Sequence, residues 1–328
     1  MLSADDLILL PYTPDLTQAG IAYACRVLPD LTGHSSPGIF PRLRQIVIEQ
    51  AAELAFRRHL SEQNIPHHLA TSRFSTGSGR ACAVFGGRYC DVHSTEILRK
   101  GIIHQLNQNP APILSASALV PLDELSSEQR SGSDLLIFSF VTALVTPNLT
   151  EIKRAACAGQ PLYLLYLLPP IWLRRSGWVD LGQVVLKSEA DLPLTVTIAG
   201  QAEDRAYHTE EMVLPPLCRI KAPSIFYSLT YLHLTNIPSA RLGIHSSKLG
   251  KTIIIRPYEW GNIWVYGMQV YLAGWITRKE FCRLASPNQP KRTGWQPDPP
   301  SNRYLSLPVS ELRPLNELFS KAVDWVER

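Results

Sequence analysis

The chain has six cysteines but no CxxC pair, little charge, and no apolar run long enough to cross a bilayer. Each shortage excludes something. The cysteines stand singly at 25, 82, 90, 157, 218 and 282, so no paired-thiol metal module or redox dithiol is spelled out. That pattern predicts reduced thiols and a cytoplasmic protein. The opening MLSADDLILLPYTPD carries acids and no basic n-region, which argues against a secretory leader. The longest apolar stretch, residues 161–173, is interrupted by Pro169 and Pro170 and falls short of a membrane span, so no membrane insertion is expected. Charged residues make up 18% of the chain, against about 25% in ordinary globular proteins. So sparse a charge leaves little room for disordered tails, and it predicts that a protein partner or a second copy covers part of the surface.

Two catalytic signatures are missing as well. No G-x-S-x-G elbow supports serine hydrolase chemistry. STGSGR (residues 75–80) lacks the GK[ST] ending of a phosphate loop and precedes a strand, so it reads as a turn. The net charge of +4 and pI near 8.7 are compatible with nucleic-acid contact without demonstrating it. Basic residues do gather at Arg57 and Arg58, Arg88, Arg99 and Lys100, Arg174 and Arg175, and Lys291 and Arg292. Solvated faces account for any one of these clusters taken singly.

What is present begins with Thr13-Pro14-Asp15, a helix start with a capping hydroxyl, a first-turn proline and a first-turn acid. After a Gly/Ser/Pro loop at 33–38, residues 41–60 show Leu43, Ile46, Val47, Ala51 and Leu54 at three- and four-residue steps. That spacing predicts an amphipathic helix. Glu53 lies at the edge of its buried face. Three extended pieces follow, at 67–74, 81–85 and 88–94, the last two joined by the Gly86-Gly87 hairpin turn. Residues 95–107 read as a helix and 134–144 as a buried strand. Residues 150–262 are rich in proline pairs and β-type runs such as LTVTIAG and KTIIIRP. A buried strand at 268–275, a short helix at 277–284, a proline-rich loop at 287–300 and a terminal helix complete the pattern.

The order α-β-β-β-α-β-β resembles the PD-(D/E)xK, restriction-endonuclease-like superfamily. The resemblance rests on Glu53 with Leu60 and Asn64-Ile65, on the hairpin ACAVFGGRYCDVHS (81–94), on MQVYLAGWITRKEF (268–281) and on the ending YLSLPVSELRPLNEL (304–318). It implies a mixed-sheet α/β core with a β-rich insertion and an N-terminal helical segment. The expected divisions are 1–40 as that extension, 41–149 as the first part of the core, 150–262 as the insertion or second lobe, and 263–328 as the completion. It further implies metal-dependent endonuclease activity on DNA, with Mg²⁺ or Mn²⁺ held by Glu53 and Asp91, and a bacterial role in defence or DNA processing. Carboxylates in such a site hold a cation that polarises the phosphate and lowers the pKa of water.

In an acid-x-Lys motif, residues i and i+2 emerge on one face of a strand. Asp91-Val92-His93 reproduces that geometry with histidine in the lysine position, so His93 joins Glu53 and Asp91 as a candidate catalytic residue. The preceding strand offers Cys82 or Ala83 where the family has its first aspartate. Arg99 or Lys100 could supply the missing cation, and Asp134 is a weak substitute acid.

Plainer readings stand beside these. Glu53 and Arg57 are spaced for a helix salt bridge. Asp91 could cap the next helix together with Ser94, Thr95 and Glu96. His93 alone could be a satisfied core histidine. Cys82, Cys90, Asp91 and His93, with His67 and His68, offer zinc-type ligands at a spacing that matches no zinc module. The aromatic run at 257–275 suits packing better than base stacking. The alternative functions are a catalytically inactive nuclease-fold subunit that binds nucleic acid or a protein partner, and an interaction scaffold without nucleic-acid contact.

Overall fold

The computed structural model describes residues 2–31, 39–71, 81–125, 131–146, 148–173, 177–263, 266–287, 295 and 304–326. The loops expected at 33–38 and 75–80, the basic pairs at 174–175 and 291–292, and most of the proline-rich loop at 287–300 lie outside these residues. The chain is mixed α/β and divides into two compact units. Met1–Gly20, Gln45–Leu144 and Gly267–Arg328 make the first; Ile21–Arg44 and Val145–Tyr266 make the second.

The helix expected from Thr13 onward is α1, Pro14–Leu31, and the amphipathic pattern becomes α2, Ile39–Glu62. Leu43, Ile46, Val47 and Ala51 are buried as their spacing predicts. Ile48, Ala52, Ala55, Phe56 and Leu60 are buried too, so α2 is covered on more than one side.

The first unit is built on a six-stranded mixed sheet. Its strands are β1 (Ile8–Leu10), β2 (His68–Thr71), β3 (Ala81–Phe85), β4 (Arg88–Ile97), β6 (Leu135–Leu144) and β7 (Tyr266–Thr277), in the spatial order β1-β7-β6-β4-β3-β2. β2, β3 and β4 form an antiparallel meander. Gly86 and Gly87 make its second turn with φ of 52° and 78°, left-handed values that glycine adopts without strain. β4 then pairs in parallel with β6. Parallel neighbours need a crossover, supplied by α3 (Lys100–Gln108), β5 (Ser117–Pro121) and α4 (Leu122–Leu125). β5 pairs separately with β8 (Tyr304–Pro308). Helices α5 (Arg278–Leu284) and α6 (Leu315–Val326) complete the unit.

One expected helix is shortened. Residues 95–97 continue β4 because Thr95, Glu96 and Ile97 pair with Phe140, Val141 and Thr142, and β-branched residues suit a pleated strand. Helix α3 starts only after Arg99, which removes the reading of Asp91 as its cap.

α5 is held by a reciprocal cap. Thr277 Oγ1 accepts from the Glu280 backbone N–H at 3.3 Å, and the Glu280 carboxylate accepts from the Thr277 hydroxyl at 2.7 Å. Thr277→Ala is expected to lower the stability of the first unit by about 1 kcal/mol, readable as a shift in urea midpoint.

The second unit is rich in β-structure. A five-stranded sheet runs in the order Tyr207–Leu214, Leu194–Gln201, Ser228–Leu234, Leu164–Leu167, Gly261–Asn262. A four-stranded sheet runs Arg219–Lys221, Val184–Ser188, Leu242–Ser246, Lys251–Ile255. Val196, Ile198 and Leu232 from the first sheet and Leu186 and Ile244 from the second share one apolar core with Trp172 and Phe226. Two short helices, Leu149–Cys157 and Pro170–Leu173, interrupt the β-rich stretch.

His233 sits inside this unit, stacked on Tyr163 with ring centroids 5.9 Å apart. Burial pushes its pKa down from 6.5 to about 4. Between those values the unfolded chain binds a proton that the folded chain refuses, so stability falls as pH drops through the window. The full loss from pH 6.5 to about 4 is about 3 kcal/mol. Denaturant melts at pH 7 and pH 5 should therefore differ by about 2 kcal/mol, and His233→Phe should flatten that difference.

Candidate metal centre

β4 sorts its side chains between the two faces of the sheet. Arg88, Cys90 and Val92 share one face with Phe85, the hairpin partner of Arg88. Helices α2 and α6 cover that face: Phe56 meets Phe85 at 6.5 Å edge-on, and the Arg88 guanidinium lies 4.1 Å from the Trp325 ring centre. Asp91 and His93 point the other way. Their partners on β6 are Leu136 and Phe138, members of the apolar core that also takes in Leu106, Ala118 and Phe281. The His93 ring stacks on Phe138, which stacks in turn on Phe281, both at 5.7 Å.

On this face the crossover delivers a third residue. Glu124, on α4, brings its Oε2 to 3.9 Å from His93 Nδ1, while His93 Nε2 lies 3.3 Å from Asp91 Oδ2. Asp91 and His93 side chains are 10% and 11% exposed and that of Glu124 is 38% exposed, so the trio opens toward solvent on the Glu124 side. Burial opposes charge on His93 and is the largest single influence. The charges of Asp91, then Glu124 and Glu49, outweigh it, and the pKa is raised. A positive charge between two carboxylates is therefore favoured, whether it is the imidazolium proton or a cation in its place.

A metal ion fits this donor set. One oxygen or nitrogen from each of Asp91, His93 and Glu124 falls within a mutual 4.8 Å. Ligand distances of about 2.0–2.6 Å place opposed ligands as much as about 5 Å apart; an ion takes only one ring nitrogen, so the carboxylate facing the other must shift to share it. Two carboxylates and one imidazole favour Mn²⁺ or Zn²⁺ over Mg²⁺, because imidazole is a softer ligand than the oxygens Mg²⁺ prefers.

Asp91 and His93, two of the three residues expected from the sequence, belong to this cluster. Glu53 is buried on α2 and acts on Cys90, whose thiol is pushed well up by burial first and then by the charges of Glu53, Cys82, Asp91 and Asp134. Glu124 is a member of the cluster that the sequence does not single out. It belongs to a crossover strand and a one-turn helix that no periodicity in the sequence marks. The only available signal is the acid pair in PLDEL (121–125) after an apolar strand.

The other candidates have local roles. Asp134 accepts from the Ser131 N–H at 2.8 Å and the Tyr89 N–H at 3.4 Å, fixing the turn into β6. Arg99 and Lys100 are exposed. Cys82 and Cys90 are buried in β3 and β4, and the ligand cluster found among the described residues includes neither thiol. Of the late aromatics, Trp172, Trp260, Tyr271 and Trp275 are buried in packing, while Tyr258 is 75% exposed. None of the helices described is long and apolar enough to cross a membrane. Comparison with protein-family models, curated proteins and solved structures returns no match.

Proposed function

We propose that the first unit is a divalent-metal-dependent phosphodiesterase acting on nucleic acid, with Asp91, His93 and Glu124 as the metal ligands. The observation that carries this reading is the convergence of three ligating atoms within 4.8 Å on one face of the central sheet. The succession of α2, the β2-β3-β4 meander, α3 and the parallel strand β6 supports it, since that order resembles the PD-(D/E)xK core. A bound ion would supply Lewis-acid polarisation of a phosphoryl oxygen and a more acidic water. Asp91 and Glu124 contribute the negative charge that selects a cation. Phe138 fixes the plane of the His93 ring, so that both ring nitrogens face carboxylates. Glu124, the exposed member, marks the side from which a phosphate reaches the site.

A second reading has its own observation. β3 carries Cys82 and Ala83, both buried, where an active member of the superfamily has an aspartate. A core that has lost a ligand and kept its fold would bind nucleic acid or a partner protein without cutting. Incubating supercoiled plasmid with the purified chain in Mn²⁺, Mg²⁺ or EDTA separates the two. Nicking that needs the metal and runs faster in Mn²⁺ supports catalysis. Intact plasmid with salt-sensitive retention of DNA supports the binding-only core.

A further inference from the structure

The first unit holds a second candidate site that shares no residue with the metal centre. An open cavity of about 360 Å³ lies among the start of α1, the second half of α2 and β2. Its apolar walls are Leu16, Leu54 and Leu69. Its polar lining is Asp15, Arg57, Arg58, Ser61 and His67.

The cation is Arg57. Its Nε is buried without a hydrogen bond, and no hydrogen bond or ion pair joins its side chain to another described residue, Glu53 included. The Arg57 side chain lines the cavity, so its charge is available to an anion entering there. The neighbouring Arg58 and Asp15 are paired with each other at 2.5 Å, and Thr13 accepts a further bond from Arg58 at 2.8 Å. That pair is neutral as a unit, and the surplus charge in the cavity belongs to Arg57.

The acceptor is His67. Its Nδ1 lies 2.8 Å from the Ile65 carbonyl oxygen. A carbonyl only accepts, so Nδ1 carries a proton, and in the neutral ring Nε2 is then an acceptor. The cavity therefore asks for an anionic group, a hydroxyl or N–H donor, and an apolar body between them. Its volume is within the range of small-molecule sites and far exceeds what a bare inorganic anion fills.

We propose that this cavity binds a nucleotide, its phosphate on the Arg57 guanidinium and a sugar hydroxyl or base N–H donating to His67 Nε2. A planar guanidinium matches two phosphate oxygens at once. A simple carboxylate would satisfy Arg57 and leave His67 without a donor. The nucleotide comes either free or as the phosphorylated end of a strand. The inference stands apart from the metal-centre reading.

Calorimetric titration of the full chain in EDTA tests it with four probes: inorganic phosphate, adenosine 5′-monophosphate, a 5′-phosphorylated trinucleotide and the same trinucleotide with a 5′-hydroxyl. Binding of the monophosphate alone identifies a free nucleotide; binding of the phosphorylated trinucleotide identifies a strand end. Arg57→Gln should weaken either by about tenfold or more. Ala19→Trp, at an exposed helical position lining the cavity, should fill the space and abolish binding with Arg57 intact. Asp91→Asn should leave it unchanged. The proposal is overturned if no nucleotide binds at about millimolar concentration. Equal affinity for inorganic phosphate and the monophosphate, indifference to the 5′-phosphate, or full affinity after both cavity substitutions would overturn it too.

Discussion

If the first unit cuts nucleic acid as proposed, replacing Asp91 by asparagine should lower Mn²⁺-dependent plasmid nicking by about a hundredfold or more. The substitution keeps the side-chain shape and removes only the charge, so the loss reports electrostatics. Asp91 is the nearer of the two carboxylates to His93, at 3.3 Å, and its side chain is only 10% exposed. A buried carboxylate faces a cation through a poorly screening medium, and no surface charge replaces it. Glu124→Gln should act in the same direction but less severely, because its side chain is 38% exposed and water can fill the position. Glu53→Gln separates this account from the arrangement expected from sequence. If Glu53 were a ligand, its amide would abolish cleavage as Asp91→Asn does. If Asp91, His93 and Glu124 are the ligands and Glu53 is not, cleavage should fall by less than about tenfold while stability changes. Thermal melts of all three variants distinguish lost chemistry from lost fold.

The largest stability effect is expected in the second unit. Gly200 lies on the strand Leu194–Gln201, opposite Leu229, where the register slips between Leu229 and Tyr231. A Cβ at Gly200 would fall 1.9 Å from the Ser228 carbonyl oxygen and 3.0 Å from the Leu229 Cα. Both are backbone atoms of the paired strand, so no side-chain rotation relieves the overlap. The bulge brings the two backbones too close for anything but glycine. Gly200→Ala should therefore cost about 3 kcal/mol or more. Gly87→Ala is the contrast: a methyl added there meets nothing within 4 Å, but φ is +78°. It should cost only the left-handed strain of about 1–2 kcal/mol. Urea midpoints of the two variants give the comparison directly.

Local signals account for what is legible in the sequence. The Thr13-Pro14-Asp15 start, the α2 spacing and the Gly86-Gly87 turn depend on neighbours within a few residues, and each reappears where expected. The length of β4 is not a local property. Thr95, Glu96 and Ile97 take their conformation from β6, some forty residues further on by the pairing of Ile97 with Thr142. Strand β1 escapes a sequence reading for the same reason: Ile8, Leu9 and Leu10 form a strand by pairing with Leu272, Tyr271 and Val270. Half of the site is visible in Asp91-Val92-His93, since alternation along a strand fixes which residues share a face. The other half is not. Which residues a crossover delivers to a face is a tertiary fact, and it brings in Glu124.

Titrating the chain with Mn²⁺ and following the free-ion paramagnetic resonance signal tests the metal centre without reference to any substrate. One Mn²⁺ per chain should be taken up, with affinity about tenfold or more weaker in Glu124→Gln and little changed in Glu53→Gln. Uptake that ignores Glu124, or depends on Glu53 as strongly as on Asp91, would contradict the arrangement described.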